Sequence, residues 1–423
     1  MVGASSAAGV PYGTGYAFPA WLARRLEAEI PGVPCEVVNA AIPGYATRRM
    51  LTVVHEIAAY APDLLIVYEG HNEFAERRFY AHLLDIPPPL FRLWERIVDT
   101  RLFAVLSRLA PSADGAADHQ APRFDIDDVR NAAQMFAVLS ERAGGRGYPT
   151  ARDAAYGEML YRFNLEEMVR AMHRVGARVM LLTLSQNFAD WAPGASSHRD
   201  GLSAAELAAW EASVAEGDRL ARDHDFAAAL PAYARALAID DTFADLHYRV
   251  AGCERALGQF DAARLHYRQA SDLDRVPHGA PTRYNDIVRE VARAQDAMLV
   301  DVERVLDGAS PHGLVGDDLF VDFVHPNLRA HQLIAAAIAN ALRAGGLPVP
   351  AAQWRTGTFV DPDPEALYRA DGSLRTQEHL VRAVACLLSR RDACARAEAD
   401  AVLAAEPDHR PARLIREAVA PSR

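Results

Sequence analysis

Residues 64–68 read Leu-Leu-Ile-Val-Tyr and lead directly into Glu-Gly-His-Asn-Glu at 69–73. Such a short, continuous apolar run predicts a strand buried on both faces, as the strands of parallel sheets are. Further runs of this type occur at 35–42 (CEVVNAAI), 177–184 (ARVMLLTL) and 298–302 (MLVDV). Segments with helical periodicity lie between them, at 18–30, 47–60, 151–175, 281–297 and 330–343. This alternation predicts an α/β fold with a parallel sheet that carries helices on both faces.

The length and composition limit the domain count and the classes of chemistry. With 423 residues, 50% of them hydrophobic, the chain is long enough for two domains with sizeable cores. All 45 basic residues are arginine, which excludes P-loop, Schiff-base and Ser-Lys chemistry. The formal charge of −11 argues against nucleic acid as a partner. We expect no cofactor, and no apolar run is long enough to predict a transmembrane segment.

The start of the chain leaves the compartment open. Only Met1 and Val2 precede the turn at Gly3-Ala4-Ser5-Ser6, so we expect that part of the first strand is missing. No signal peptide is recognisable, and the sequence as it stands indicates the cytoplasm. A preceding segment would make the protein periplasmic or membrane-anchored.

The cysteines and histidines predict neither a disulfide framework nor a metal site. The four cysteines are few and scattered, and free thiols are expected. Cys386 and Cys394 lie eight positions apart on one predicted helical segment, where we expect packing residues rather than a bridge. His278 and His312 lack carboxylate partners at ligand spacing.

A repeat with a period of 34 lies in the middle of the chain. The matching pairs are Phe226 and Phe260, Ala229 and Ala263, Tyr233 and Tyr267, Ala236 and Ala270, Asp240 and Asp274, and the small residues Gly217 and Ala251. This pattern resembles the tetratricopeptide repeat (TPR), which implies helical hairpins that take a protein or peptide partner. The capping-box sequence Ser203-Ala204-Ala205-Glu206 opens the segment, and a weaker third copy runs over 376–407.

Four short segments at strand ends or helix starts carry reactive residue types. They are Gly3-Ala4-Ser5-Ser6-Ala7-Ala8-Gly9, Asn39-Ala40-Ala41-Ile42-Pro43-Gly44, Gly70-His71-Asn72-Glu73 and Asp322-Phe323-Val324-His325-Pro326-Asn327. Open α/β sheets bind their ligands at such places. A serine hydroxyl, an Asp/His pair and amide donors are the groups that acyl transfer requires.

These segments resemble the four sequence blocks of the SGNH (GDSL-type) hydrolase family, in the same order. The resemblance implies a flavodoxin-like parallel sheet and an acyl-enzyme formed on Ser5. It makes His325 the general base and Asp322 the residue that orients it. Gly44, Asn72 and the backbone N–H of Ser5 take the oxyanion-hole positions. The embedded repeats are similar to those of a bacterial subgroup of the family.

Some positions depart from the family pattern or have competing interpretations. Ala4 replaces the Asp of G-D-S, and Glu73 replaces the Asp of G-x-N-D. Ser6 is the alternative nucleophile, or a cap of the following helix. His71, Glu73 and Asn187 are candidate substrate-cleft residues. Trp191 lines the cleft or belongs to the core.

The sequence therefore predicts a serine esterase that acts on a small-molecule or polymer-borne acyl ester. The alternatives are an O-acyltransferase with the same residues and a TPR binding scaffold whose active site has decayed. The hydrolase domain is predicted at 1–202 and 279–345, interrupted by a helical insertion at 203–278. A helical region follows at 346–423. Residues 75–150 are less regular, with a helical piece at 90–109 and a surface loop at 111–122.

Overall fold

A computed structural model describes residues 1–74 and 151–419 of the chain. The pieces predicted at 90–109 and 111–122 lie outside these ranges. A four-stranded parallel sheet forms the centre, and the hydrogen-bonded order of its strands follows the chain order. The strands are β1 (Val2–Gly3), β2 (Leu64–Tyr68), β3 (Arg178–Leu182) and β4 (Met298–Val300). The predicted parallel α/β sheet is confirmed.

The strand predicted at 35–42 is wrong as a regular, buried strand. This segment runs along the free edge of β1 with an irregular, half-exposed backbone. The N–H of Ala40 donates to the carbonyl of Met1 and that of Ile42 to the carbonyl of Gly3, both at 2.9 Å. Because β1 is only two residues long, it offers too short an edge for a regular ladder.

Helices cover the sheet in two groups. The helices of this part are α1 (Ser5–Ala8), α2 (Phe18–Glu29), α3 (Thr47–Ala58), α4 (Ala151–Arg174), α9 (Thr282–Ala294), α10 (Val302–Ala309) and α11 (Leu328–Ala344). On one side α2 packs against α11, and on the other α4 packs against α3 and α9. The five helices predicted around the sheet are confirmed, with ends that differ by at most three residues.

Two helical hairpins follow the third strand. They consist of α5 (Ala204–Arg222) with α6 (Phe226–Ile239) and α7 (Ala244–Ala256) with α8 (Phe260–Asp272). Ser203 forms the predicted capping box with Glu206 at the start of α5. The turns that join the helices hold His224 and Gly258 in the left-handed region, at φ of 58° and 74°. Both hairpins therefore have the same three-residue turn.

The C-terminal region is also helical, with α12 (Pro364–Ala370), α13 (Ser373–Leu388), α14 (Asp392–Ala405) and α15 (Arg410–Ala418). Cys386 and Cys394 form a disulfide with a Cα–Cα distance of 5.8 Å, so the prediction of two unbridged packing residues is wrong. The helix ends between them, and Arg390 has a φ of 55° in the turn. The resulting hairpin brings the two cysteines face to face.

We predict that alkylation of the unfolded, unreduced protein labels Cys35 and Cys253 but neither Cys386 nor Cys394. The Cys394→Ala variant should lose about 2–3 kcal/mol of unfolding free energy, since the bridge closes a short loop. Peptide mapping and urea unfolding measure the two effects. Four alkylated cysteines would contradict the bridge.

Candidate active site

The reactive segments meet at the carboxyl ends of neighbouring strands. Ser5 lies two residues after β1, His71 three residues after β2, and Ser185 three residues after β3. Since parallel strands all end at the same edge of the sheet, these side chains share one crevice. Gly3 allows the close packing at this point, because a Cβ there would come within 2.4 Å of the Tyr68 carbonyl oxygen.

Ser5, His325 and Asp322 form one hydrogen-bonded line. The Nε2 atom of His325 lies 2.9 Å from Oγ of Ser5, and its Nδ1 lies 2.6 Å from Oδ2 of Asp322. The other carboxylate oxygen of Asp322 accepts the backbone N–H groups of Val324 and His325, each at 2.9 Å. The turn thus fixes the carboxylate, and the carboxylate fixes the imidazole.

Asp322 is almost fully buried, at 2% exposure. Burial raises the pKa of this carboxyl, but the charge and the hydrogen bonds of His325, with the Val324 N–H, outweigh burial and lower the pKa overall. Asp322 is therefore ionised in the folded protein at neutral pH, which keeps a proton on Nδ1 of His325 and leaves Nε2 facing Ser5.

Ser6 links the first helix to the histidine loop. Its hydroxyl donates to the carbonyl of Val324 at 3.0 Å, and the residue is buried. The expectation that Ser6 caps the following helix is wrong, since Ala4 occupies the N-cap position without a side-chain hydrogen bond. Ser6 is the serine that positions the loop, and Ser5 is the one that faces the imidazole.

The predicted oxyanion-hole residues lie on two loops that are tied together. The Nδ2 atom of Asn72 donates to the carbonyl of Tyr45 at 2.7 Å, directly beside Gly44. Gly44 has a φ of 76°, which favours glycine, and its carbonyl accepts from Arg49 at 2.5 Å. An amide NH₂ group has two hydrogens, so Asn72 retains a second donor after binding Tyr45.

Glu73 lies beneath these loops rather than in the cleft that the sequence predicted. Its carboxylate accepts the N–H of Thr47 at 2.8 Å, at the first residue of α3. Thr47 in turn accepts from Nδ2 of Asn164 at 3.0 Å. Consecutive residues Asn72 and Glu73 therefore hold Tyr45 and Thr47, on either side of Ala46.

Two glutamates lie near each other at this point, Glu69 buried and Glu73 half-buried. Glu69 accepts the N–H of Gly70 at 3.1 Å. Burial, followed by the charge of Glu73, raises the pKa of Glu69 well above its usual value. Burial also raises the pKa of Glu73 to about 7, although hydrogen bonds from Thr47 act in the opposite direction. This pair of carboxyl groups therefore holds a proton near neutral pH.

His71 lies close enough to His325 for the charge of His325 to act on it. Its Nδ1 accepts the N–H of Ala280 at 3.2 Å, so the proton of the neutral ring is on Nε2. Burial, together with the charge of His325, lowers the pKa of His71 to about 3. His71 is therefore a neutral N–H donor over the whole physiological pH range.

Asn187 and Trp191 support the histidine loop from the far side. The Nδ2 atom of Asn187 donates to Asp317 at 2.7 Å, and its backbone N–H donates to the carbonyl of Phe323 at 3.0 Å. Its Oδ1 accepts the N–H of Asp190 at 3.0 Å, so both ends of the amide are occupied, which assigns Asn187 to positioning rather than to an open cleft. Trp191 is buried among the C-terminal helices, with its ring 5.6 Å from Phe323.

His278 and His312 have structural contacts. His312 stacks on Phe260 with ring centroids 3.6 Å apart, and Nδ1 of His278 lies 3.4 Å from Asp274. Over residues 1–74 and 151–419, no group of three or more His, Cys, Asp or Glu side chains is arranged to hold a metal ion. In the same ranges, no helix is long and apolar enough to span a membrane.

Ser185, which none of the four sequence segments contains, is buried at the crevice. The signal was present in the spacing, because Ser185 follows β3 at the same distance at which His71 follows β2.

Comparison with known families agrees with this geometry. The model of the GDSL-like lipase/acylhydrolase family matches residues 1–255. The chain belongs to this family. It is a hydrolase, and the matched region contains Ser5, Gly44 and Asn72. Asp322 and His325 follow it in the chain.

Other comparisons add little. No curated protein matches the chain. The crystal structure of LAE5, an alpha/beta hydrolase enzyme from the metagenome of Lake Arreo, Spain, is similar at 14% identity and a TM-score of 0.35. The alignment covers 80% of this chain and 92% of that one. At this TM-score the similarity carries no argument about the fold.

We predict that the free energy of unfolding of Glu73→Gln increases relative to that of the wild type as the pH rises from 5 to 8. The pKa of Glu73 is about 7 in the folded protein, against an ordinary value of 4.5. The folded state holds a proton that the unfolded chain releases, so this contribution to stability falls as the pH rises through that window. Urea unfolding at several pH values measures the difference.

Glu73→Asp, which keeps an ionisable carboxyl, is the control for this comparison. A free-energy difference between Glu73→Gln and the wild type that does not change with pH would contradict the raised pKa.

Proposed function

We propose that this protein is a serine esterase that forms an acyl-enzyme on Ser5. The observation that carries the proposal is the hydrogen-bonded line from Asp322 through His325 to Ser5. In this order the imidazole takes the hydroxyl proton as Ser5 attacks the ester carbonyl, while Asp322 stabilises the imidazolium. His325 then returns the proton to the departing alcohol oxygen.

The negative charge on the carbonyl oxygen needs donors that are already in place. We assign this role to the backbone N–H groups of Ser5 and Gly44 and to the free hydrogen of the Asn72 amide. Ser5 is the first residue of α1, where a backbone N–H has no acceptor within its own helix. The contact of Asn72 with Tyr45 supports the assignment, since it holds the two loops in register.

The line of hydrogen bonds argues against a decayed site. The carboxylate, imidazole and hydroxyl lie at hydrogen-bond distances suited to proton transfer, although Ala4 and Glu73 depart from the family pattern. Hydrolysis and acyl transfer use the same acyl-enzyme and differ in the acceptor, which is water or an alcohol. Hydrolysis is the default because water is always available.

The edge segment at 38–42 supports a flavodoxin-like arrangement of the sheet. It extends the order outward from β1, so that the second segment of the chain lies outside the first strand and the later strands continue on the other side. This is the order 2-1-3-4-5, in which ligands bind at the switch point between strands 1 and 3 in chain order. Ser5 follows β1, the first of these strands.

The helical hairpins support a TPR-like segment. Equivalent residues are buried in both hairpins at the period of 34, and the ring of Tyr233 fills the space beside Gly217. The hairpin of α13 and α14 has a three-residue turn of the same kind and buries Ala383 and Ala395 at matching positions. Ala399 replaces the tyrosine there. A protein or peptide partner for these hairpins remains a proposal.

We expect Ser5→Ala and His325→Ala to lower kcat for an activated ester by at least about a thousandfold, because each removes an essential partner of proton transfer. Ser6→Ala is the matched control: it keeps the nucleophile and the imidazole and loses one contact of the histidine loop, so it lowers kcat far less than Ser5→Ala. Steady-state kinetics with an aryl ester measure the effect. Turnover by Ser5→Ala at the wild-type rate would refute the proposal.

Asn72→Ala should lose roughly a hundredfold in kcat with a small change in KM, because an oxyanion donor acts mainly in the transition state. Steady-state kinetics measure both constants, and a loss confined to KM would contradict the role given to Asn72.

Product analysis with an added alcohol shows whether water or the alcohol accepts the acyl group. Free acid as the main product indicates an esterase, and a new ester indicates an O-acyltransferase.

A further inference from the structure

A cavity opens at the carboxyl ends of β2 and β3, and His71 is part of its lining. It is small, and its lining also includes Ser185, Gln186, Ala280 and Asn285. Gly279 packs so closely that a Cβ would come within 1.9 Å of Gln186 Oε1 and 2.9 Å of Val324 Cγ1. Gly279, which precedes the lining residue Ala280, therefore borders the loop that carries His325.

Three polar atoms in this lining lack hydrogen-bond partners within the described part of the chain. They are Nε2 of His71, Oγ of Ser185 and Nε of Arg268. His71 and Ser185 are at least nine-tenths buried, whereas Arg268 is half-buried and its other nitrogens pair with Glu303 and Asp307. Nε2 of His71 carries a hydrogen, since Nδ1 accepts from Ala280. A buried donor of this kind is normally matched by an acceptor, which a bound ligand is able to supply.

The chemistry of the lining selects the ligand. Arg268 also borders the cavity, but its charge is paired with Glu303 at 2.8 Å. Among the described residues of the lining, therefore, no unpaired charge is present that would bind an ionic group. His71 only donates, whereas the Ser185 hydroxyl donates or accepts. A hydroxyl group satisfies both, because its oxygen accepts from His71 while its hydrogen is given to Ser185.

The position of the cavity tells which part of an ester it faces. His325 returns the proton to the departing alcohol oxygen, so the alcohol lies on the histidine side of Ser5. We propose that His71 and Ser185 form a subsite for a second hydroxyl on the alcohol part of the substrate. The enzyme then acts on esters of diols and polyols in preference to esters of simple alcohols. This inference rests on the esterase function proposed above.

The test compares kcat/KM for 2-hydroxyethyl and ethyl esters, as acetates and as butyrates. We expect the wild type to favour the hydroxyethyl ester by at least about tenfold, because buried donors left without an acceptor penalise the analogue. His71→Phe and Ser185→Ala bring this ratio close to one. His71→Gln, whose amide still donates, retains part of it.

Surface variants provide matched controls. His55→Phe on α3 and Ser213→Ala on α5 replace the same residue types away from the cavity, and they retain the wild-type ratio. If His71→Phe does not fold, as judged by circular dichroism, Ser185→Ala alone decides the result.

The outcomes separate the two proposals. A wild-type ratio within about twofold of one, or a ratio that neither variant changes, overturns the subsite and leaves the esterase standing. Absence of turnover on all four esters by folded wild-type protein overturns the esterase function, and the subsite with it.

Discussion

The proposed chemistry depends on one contact, the hydrogen bond between Ser5 and His325, which joins residues 320 positions apart in the chain. Neither side chain holds the other in place, so the fold has to fix both. Ser5 is fixed by the tight junction of β1 and α1. His325 is fixed by Asp322 and by the hydroxyl of Ser6, which binds the intervening loop. Removing any of these supports would leave the reactive groups present but misaligned, and catalysis is sensitive to errors of about 1 Å.

The histidine loop is also supported from the C-terminal region. Arg382 on α13 pairs with Asp317 at 3.2 Å and donates to the carbonyl of Phe320, while Trp191 packs between this helical hairpin and Phe323. The disulfide joins the two helices of the same hairpin. On the opposite side, Asn72 and Glu73 hold the loop that carries Gly44. The buried glutamates cost stability when ionised, and this is the kind of cost that proteins accept at functional sites.

The sequence predicts the sheet well where apolar runs are long, and the strand at 64–68 has the predicted ends. The segment at 35–42 has the same composition, but its partner strand is two residues long, and composition does not reveal the length of a partner. The sequence does not predict the bridge between Cys386 and Cys394, because helical periodicity continues across the turn at Arg390. The motifs predict which residue types assemble at the site. They do not predict that Glu73 caps α3, or that His71 donates through Nε2, since both depend on contacts with residues distant in sequence.

The central claim is that His325 activates Ser5, and reaction with a fluorophosphonate tests it most directly. The account predicts a single adduct by intact mass, mapped to Ser5 by peptide analysis and absent after Ser5→Ala or His325→Ala. The circular-dichroism spectrum of the same sample shows whether the protein is folded. An adduct on Ser6, or no adduct on a well-folded wild-type protein, would contradict the account.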